Sequence, residues 1–193
     1  MAGVAQADLL VTWTFSGGDS TAAVEETPDN WDQVTYGELT RVNLGVNTTA
    51  ANQFAGNNWV DPDNVIRLLI TVASGYEIQN ATFSTRVNAT NTGPGDLFWR
   101  VNGSQIVASE VNPTGSIADW NANIGTLSAG VNTLEIYHPS GENVTGGTTA
   151  AAGGARLHTN LTLEGSVIPE PGTMILLGMG MGALALIRRK VRA

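Results

Sequence analysis

The chain has 193 residues, 42 % of them hydrophobic and 13 % charged, with 23 glycines and no cysteine. That is enough apolar material for one sizeable core in one domain, and it excludes a disulfide framework, a thiolate nucleophile and a thiolate metal site. All 17 acidic residues lie at or before Glu170, while four of the nine basic ones (Arg188, Arg189, Lys190, Arg192) crowd the end of the chain; the tail carries +4 and the rest −12, with five arginines and no lysine, a balance that repels phosphate backbones and excludes nucleic acid as a partner.

Residues 1–7 end in Ala5-Gln6-Ala7, the small-x-small pattern that signal peptidase accepts, without the basic and apolar regions that precede such a site. They are read as the remnant of a signal-peptide c-region, with Ala5 and Ala7 as the cleavage-site residues. Residues 8–166 then read as strands and turns. Leu9, Val11, Trp13 and Phe15 alternate on one face of a first strand, and Val65–Val72, Tyr76–Val87, Leu97–Val101, Ile106–Ser109 and Val131–His138 are β-rich runs. Leu157, Thr159, Leu161 and Leu163 share one face of a last strand, opposite Arg156, His158, Asn160, Thr162 and Glu164. Val101-Asn102-Gly103-Ser104 is predicted to be a hairpin turn, because Asn-Gly supplies the positive φ angles a tight turn requires. Many short strands at this spacing predict an all-β fold, a single jelly-roll-like β-sandwich. Residues 19–32, 47–63 and 145–154, polar or rich in Gly, Ala and Thr, are predicted to be long surface loops.

The body offers little that is catalytic. His138 and His158 lie at or in predicted strands and read as solvated strand histidines, and neither G-x-S-x-G nor H-E-x-x-H occurs. Carboxylates are plentiful, but no pair stands out for glycoside hydrolysis. Asp29-Asn30-x-Asp32 and Asp61-x-Asp63-Asn64 are the oxygen-rich runs that would hold a structural Ca²⁺, although Pro-Asp-Asn also forms turns; no other cofactor is implied. Trp31, Trp59 and Trp120 sit among Asn, Asp and Gly. They are read first as plugs of the sandwich ends and, as the alternative, as stacking faces for a glycan. Asn-x-Ser/Thr sequons begin at Asn47, Asn80, Asn88, Asn102, Asn143 and Asn160, mostly as a result of composition.

After residue 166 the character changes. Pro169-Glu170-Pro171 is held extended and non-helical by its prolines. Thr173–Ile187 is apolar on every face and predicts a short transmembrane helix, and the basic residues of 188–193 stay in the cytoplasm by the positive-inside rule. Fifteen residues at ~1.5 Å each span roughly 22 Å of a ~30 Å hydrocarbon core, which suits a transient anchor. Pro-Glu-Pro, apolar helix and basic tail over Val167–Ala193 closely resemble the PEP-CTERM sorting signal of Gram-negative bacteria that make extracellular polysaccharide. The resemblance implies export, a transient inner-membrane anchor, processing by an exosortase at Pro169, Glu170 and Pro171, and delivery to the cell envelope, outer surface or extracellular matrix. The leading expectation is a non-enzymatic surface or matrix protein associated with exopolysaccharide or biofilm. The alternative is a lectin-like carbohydrate-binding module, with a glycan-active hydrolase behind it.

Overall fold

The computed structural model describes residues 8–15, 23–26, 32–46, 53–139, 142–146, 153–158, 160–170 and 172. Fourteen strands follow one another in these segments and form two antiparallel sheets packed face to face, the sandwich that the sequence predicts.

The first sheet is organised around its longest strand, β8 (Tyr76–Ala89). On one side β8 pairs with β11 (Ala118–Leu127), from Ala118↔Val87 to Leu127↔Ile78. On the other it pairs first with β14 (Leu161–Pro169) and then with β13 (Gly154–Leu157), so that the sheet forks. One branch continues from β14 to β1 (Asp8–Thr14) and β2 (Ala23–Glu26), the other from β13 to β6 (Phe54–Asn57) and β5 (Gly45–Val46). The second sheet runs from β10 (Ser104–Val111) through β9 (Leu97–Val101), β12 (Gly130–Tyr137) and β7 (Val65–Val72) to β3 (Val34–Tyr36), with β4 (Thr40–Val42) on the same edge of β7.

Alternation explains the sandwich. In β7, Ile66, Leu68, Ile70 and Val72 point inward, while Arg67, Leu69 and Thr71 point outward. Aromatic side chains bridge the two layers: Trp99 from the second sheet stacks on Phe83 from the first at 4.4 Å and 15°, and Trp13 meets both Phe83 (6.0 Å) and Tyr36 (6.2 Å). Ring pairs of this kind add about 0.5–1.5 kcal/mol each beyond the area they bury. The Asn102-Gly103 hairpin forms as predicted, with φ of 50° and 81° at the two central residues, and the Asn102 side chain accepts the Thr133 N–H at 2.8 Å.

Several sequence expectations need correction. The predicted last strand is two strands, β13 and β14, although Leu157, Leu161 and Leu163 are all buried as the alternation required. The stretches 19–32 and 47–63 are not wholly loop, since they contain β2 and β6. β11 was not foreseen at all, because its inward residues include the small Ala122 and its outward ones are Asp119, Asn121 and Asn123.

On the outer face of the second sheet, Glu135 of β12 is buried between two arginines. It accepts from Arg67 Nε at 2.8 Å and from Arg100 Nε, and Arg100 also lies over the Tyr137 ring, 4.8 Å from its centre. Pairing of β7, β12 and β9 sets the row, since Glu135 is directly opposite Arg67 on one side and Arg100 on the other.

Candidate functional site

The outward face of the first sheet carries the feature best suited to holding a ligand. Register places Asn121, Ser84 and Thr162 side by side on β11, β8 and β14. Asp119 and Arg86 form the next row, and Asn160, from the segment joining β13 to β14, closes it. With Thr85 these residues line an open groove of about 570 Å³. Strand geometry spaces the side chains at about 5 Å across the sheet and about 7 Å along it.

The electrostatics of the groove are nearly neutral. Arg86 Nε lies 3.1 Å from Asp119 Oδ1, so the one cation of the groove is matched by its one carboxylate. The other lining side chains are hydroxyls and amides, which both donate and accept. Beside the groove, His158 occupies the β13–β14 junction, its backbone N–H bonded to the Arg86 carbonyl at 2.7 Å. Its ring lies 2.8 Å from the Gln53 amide nitrogen and 2.6 Å from Asn88 Oδ1. Partial burial, and then the nearby Arg156 and Arg86, lower its pKa below the ordinary histidine value. The ring is therefore neutral, accepting from Gln53 at Nδ1 and donating to Asn88 from Nε2.

The residues singled out in the sequence fall elsewhere. Trp59 and Trp120 are corrected as glycan contacts: both are buried, at 0 % and 3 % exposure. The Trp59 indole donates to the Gly56 carbonyl at 2.7 Å, and Trp120 donates to the Ser109 carbonyl at 2.8 Å with its ring 5.8 Å from that of Trp99. Trp31 lies outside the described residues, as do Asp29, Ala5, Ala7, Pro171, the apolar stretch 173–187 and the basic tail 188–193. Asp32 is exposed. Asp61 accepts the Asp63 N–H on its own Oδ1 at 2.9 Å, a side-chain turn, and the Asp63 carboxylate is 3.8 Å from Arg100. Among the described residues no three His, Asp or Glu side chains converge to hold a metal ion. His138 is not the solvated histidine expected: its side chain is fully buried, with Nδ1 2.5 Å from Asp96 Oδ1.

The sequence reading missed the groove itself. Its signal was the row of Asp119, Asn121 and Asn123 alternating with Trp120, Ala122 and Ile124, a period of two diluted by small residues.

Pro169 and Glu170 close the last strand. Pro169 pairs with Tyr76, and the Glu170 N–H donates to the Gly75 carbonyl at 2.9 Å. Fold and C-terminal motif together define an exported all-β protein, a two-sheet sandwich followed by a sorting signal. Residues 167–190 match the PEP-CTERM protein-sorting motif, whose implied processing enzyme is an exosortase. No curated protein matches the chain. Among solved structures, it is similar to the CBM36-1 domain of a multidomain xylanase from the hindgut metagenome of Trinervitermes trinervoides, at 16 % identity and TM-score 0.40 over 70 % of this chain and 93 % of that one. A family 35 carbohydrate binding module from an environmental isolate aligns at 20 % identity and TM-score 0.41 over 81 % and 96 %. A family two carbohydrate esterase from Cellvibrio japonicus aligns at 13 % identity and TM-score 0.36 over 83 % of this chain and 36 % of the enzyme.

Proposed function

We propose that this exported protein works at the cell surface or in the surrounding matrix by binding a neutral, polyhydroxylated polymer such as an exopolysaccharide, without chemically altering it. The carrying observation is the groove of Ser84, Arg86, Asp119, Asn121, Asn160 and Thr162. Hydroxyl and amide groups at regular spacing exchange hydrogen bonds with sugar hydroxyls. A charge-balanced Arg86–Asp119 pair adds directional donors and acceptors without selecting for anions.

Binding is favoured over hydrolysis by what the histidines do. His158 is held neutral between two amides, and His138 is sealed against Asp96 beneath the surface, so neither is poised beside an exposed nucleophile. In this reading the apolar stretch 173–187 is a transient inner-membrane anchor, given up when the exosortase acts.

Retention of the processed protein on the host's own exopolysaccharide tests the reading. The double variant Arg86→Ala, Asn121→Ala is expected to bind at least tenfold more weakly while melting within a degree or two of the parent, since both side chains are exposed. Equal retention of parent and variant would overturn the assignment.

A further inference from the structure

The sorting motif does not begin beyond the folded body; it begins inside it. β14 pairs with β1 up to Gly165, whose partner Asp8 is the first described residue of the chain. Past that point its partner among the described residues is β8, through Ser166↔Gln79, Val167↔Ile78, Ile168↔Glu77 and Pro169↔Tyr76. The Glu170 N–H, bonded to Gly75, then straps the motif to the turn that opens β8. Gly75 has φ +82°, and the Tyr76 N–H closes that turn on the Ala73 carbonyl at 3.2 Å.

Side-chain burial divides this segment in two. Val167 is packed in the core, whereas Ile168 is half-buried and Pro169 is exposed. Opening the strand back to Ile168 therefore costs ladder bonds but no core, and Pro169, which has no N–H, contributes fewer of those bonds. Opening past Val167 would breach the core. Reach is short as well: the five residues from Ile168 to Thr173 span at most about 17 Å even when fully extended. A protease that binds its substrate as an added strand needs backbone groups free on both sides of the cut. Pro169 and Glu170 do not offer them while they pair with Tyr76 and Gly75.

We propose that the exosortase cleaves only a frayed state of this protein, in which β14 has separated from β8 back to Ile168, so that the sandwich sets the rate of its own release from the membrane. Whatever nucleophile receives the acyl carbon, the opening comes first. Local openings of strand ends are the low-energy motions of a folded domain, and a fast equilibrium of this kind multiplies the cleavage rate by the open fraction.

The experiment is a pulse–chase of the full chain in its host, following conversion of the anchored precursor to the processed form, with an exosortase-deficient host as the baseline. One variant inserts Gly-Ser-Gly-Ser-Gly-Ser between Ile168 and Pro169, which frees the motif from β8. It should be processed at least fivefold faster. The second, Glu77→Cys with Ile168→Cys, joins directly opposite residues by a disulfide whose formation is read by mass. The oxidised form should be processed at least tenfold more slowly than the same protein with its thiols reduced. This arm leaves tether length unchanged and so separates fraying from simple reach. If the insertion perturbs the body, the oxidised-to-reduced ratio decides alone. Equal rates for the oxidised and reduced forms, or an insertion variant that melts like the parent and is processed no faster, would overturn the proposal.

Discussion

Replacing Glu135 by Gln keeps the shape of a buried side chain but removes its charge and turns one of its two acceptor oxygens into a donor. In the native protein this carboxylate, 6 % exposed, receives hydrogen bonds from both Arg67 and Arg100. The Arg67 side chain is 40 % exposed, so water replaces most of what it loses, whereas Arg100 is 18 % exposed and is left with a donor facing the new amide. A hydrogen bond to a charged group contributes about 1.5–3 kcal/mol. With one partner largely compensated by solvent, the expected loss is about 2–3 kcal/mol. For a domain of this size that corresponds to a fall in Tm of about 4–12 °C. Urea unfolding of parent and variant, with unchanged m, gives the difference directly. Its pH dependence is the sharper test. Burial by itself raises the Glu135 pKa, but the hydrogen bonds and charges of Arg100 and Arg67 outweigh it and hold the group below the ordinary carboxylate value. A carboxylate with a lowered folded pKa stabilises fully above its unfolded pKa of about 4.3 and loses that contribution as pH falls through the lower folded value. The advantage of the parent over Glu135→Gln should therefore be constant from pH 7 to 5 and shrink below pH 4. A loss under about 0.5 kcal/mol, or a difference independent of pH down to 3, would refute the claim that charge at this position holds β7, β12 and β9 together.

Trp120→Ala is expected to cost about 3–5 kcal/mol in urea unfolding, the usual loss for truncating a buried aromatic, and to leave glycan retention at the parent level under conditions where the variant is folded. His158, whose folded pKa is lowered, should make the protein less stable as pH falls from 7 through the ordinary histidine value of about 6.5 and flatten once pH passes below the folded value. His158→Asn should remove most of that slope in melting curves taken between pH 7.5 and 5.

The sandwich was legible wherever apolar and polar residues alternate with strong β-formers, as in Val65–Val72 and Val131–Tyr137, and wherever a turn carries its own chemistry, as at Asn102-Gly103. It was illegible where short strands gain their stability from neighbours. β5 is two residues, Gly45 and Val46, and β6 begins with Phe54 but continues Ala-Gly-Asn. Propensity does not select such pieces as strands; pairing does, of β6 with β13 and of β5 with β6. The polar sequence neighbours of Trp59 and Trp120 kept glycan stacking open beside the plug reading that their burial supports; a strand needs only every second residue inside, and Trp120 is flanked by Asp119 and Asn121 for that reason. The groove could not be read from the sequence because it is assembled from β8, β11, β14 and the β13–β14 junction, segments distant in the chain. The sorting motif, in contrast, is a local signal, and was legible residue by residue.

The placement of β14 also fixes how the protein bears load. While the chain is tethered by its C-terminal end, any pull from the surroundings on the body enters through β14, an interior strand with β1 along one flank and β8 along the other. Force along such a strand loads its ladder bonds in parallel, so from Leu161 to Gly165 they resist together. Towards Pro169, which has no N–H to give to the ladder with β8, the strand is weakest and yields first. The tether thus has a stiff root and a compliant tip, and tension drawn along it would loosen the start of the sorting motif before any of the core gives way.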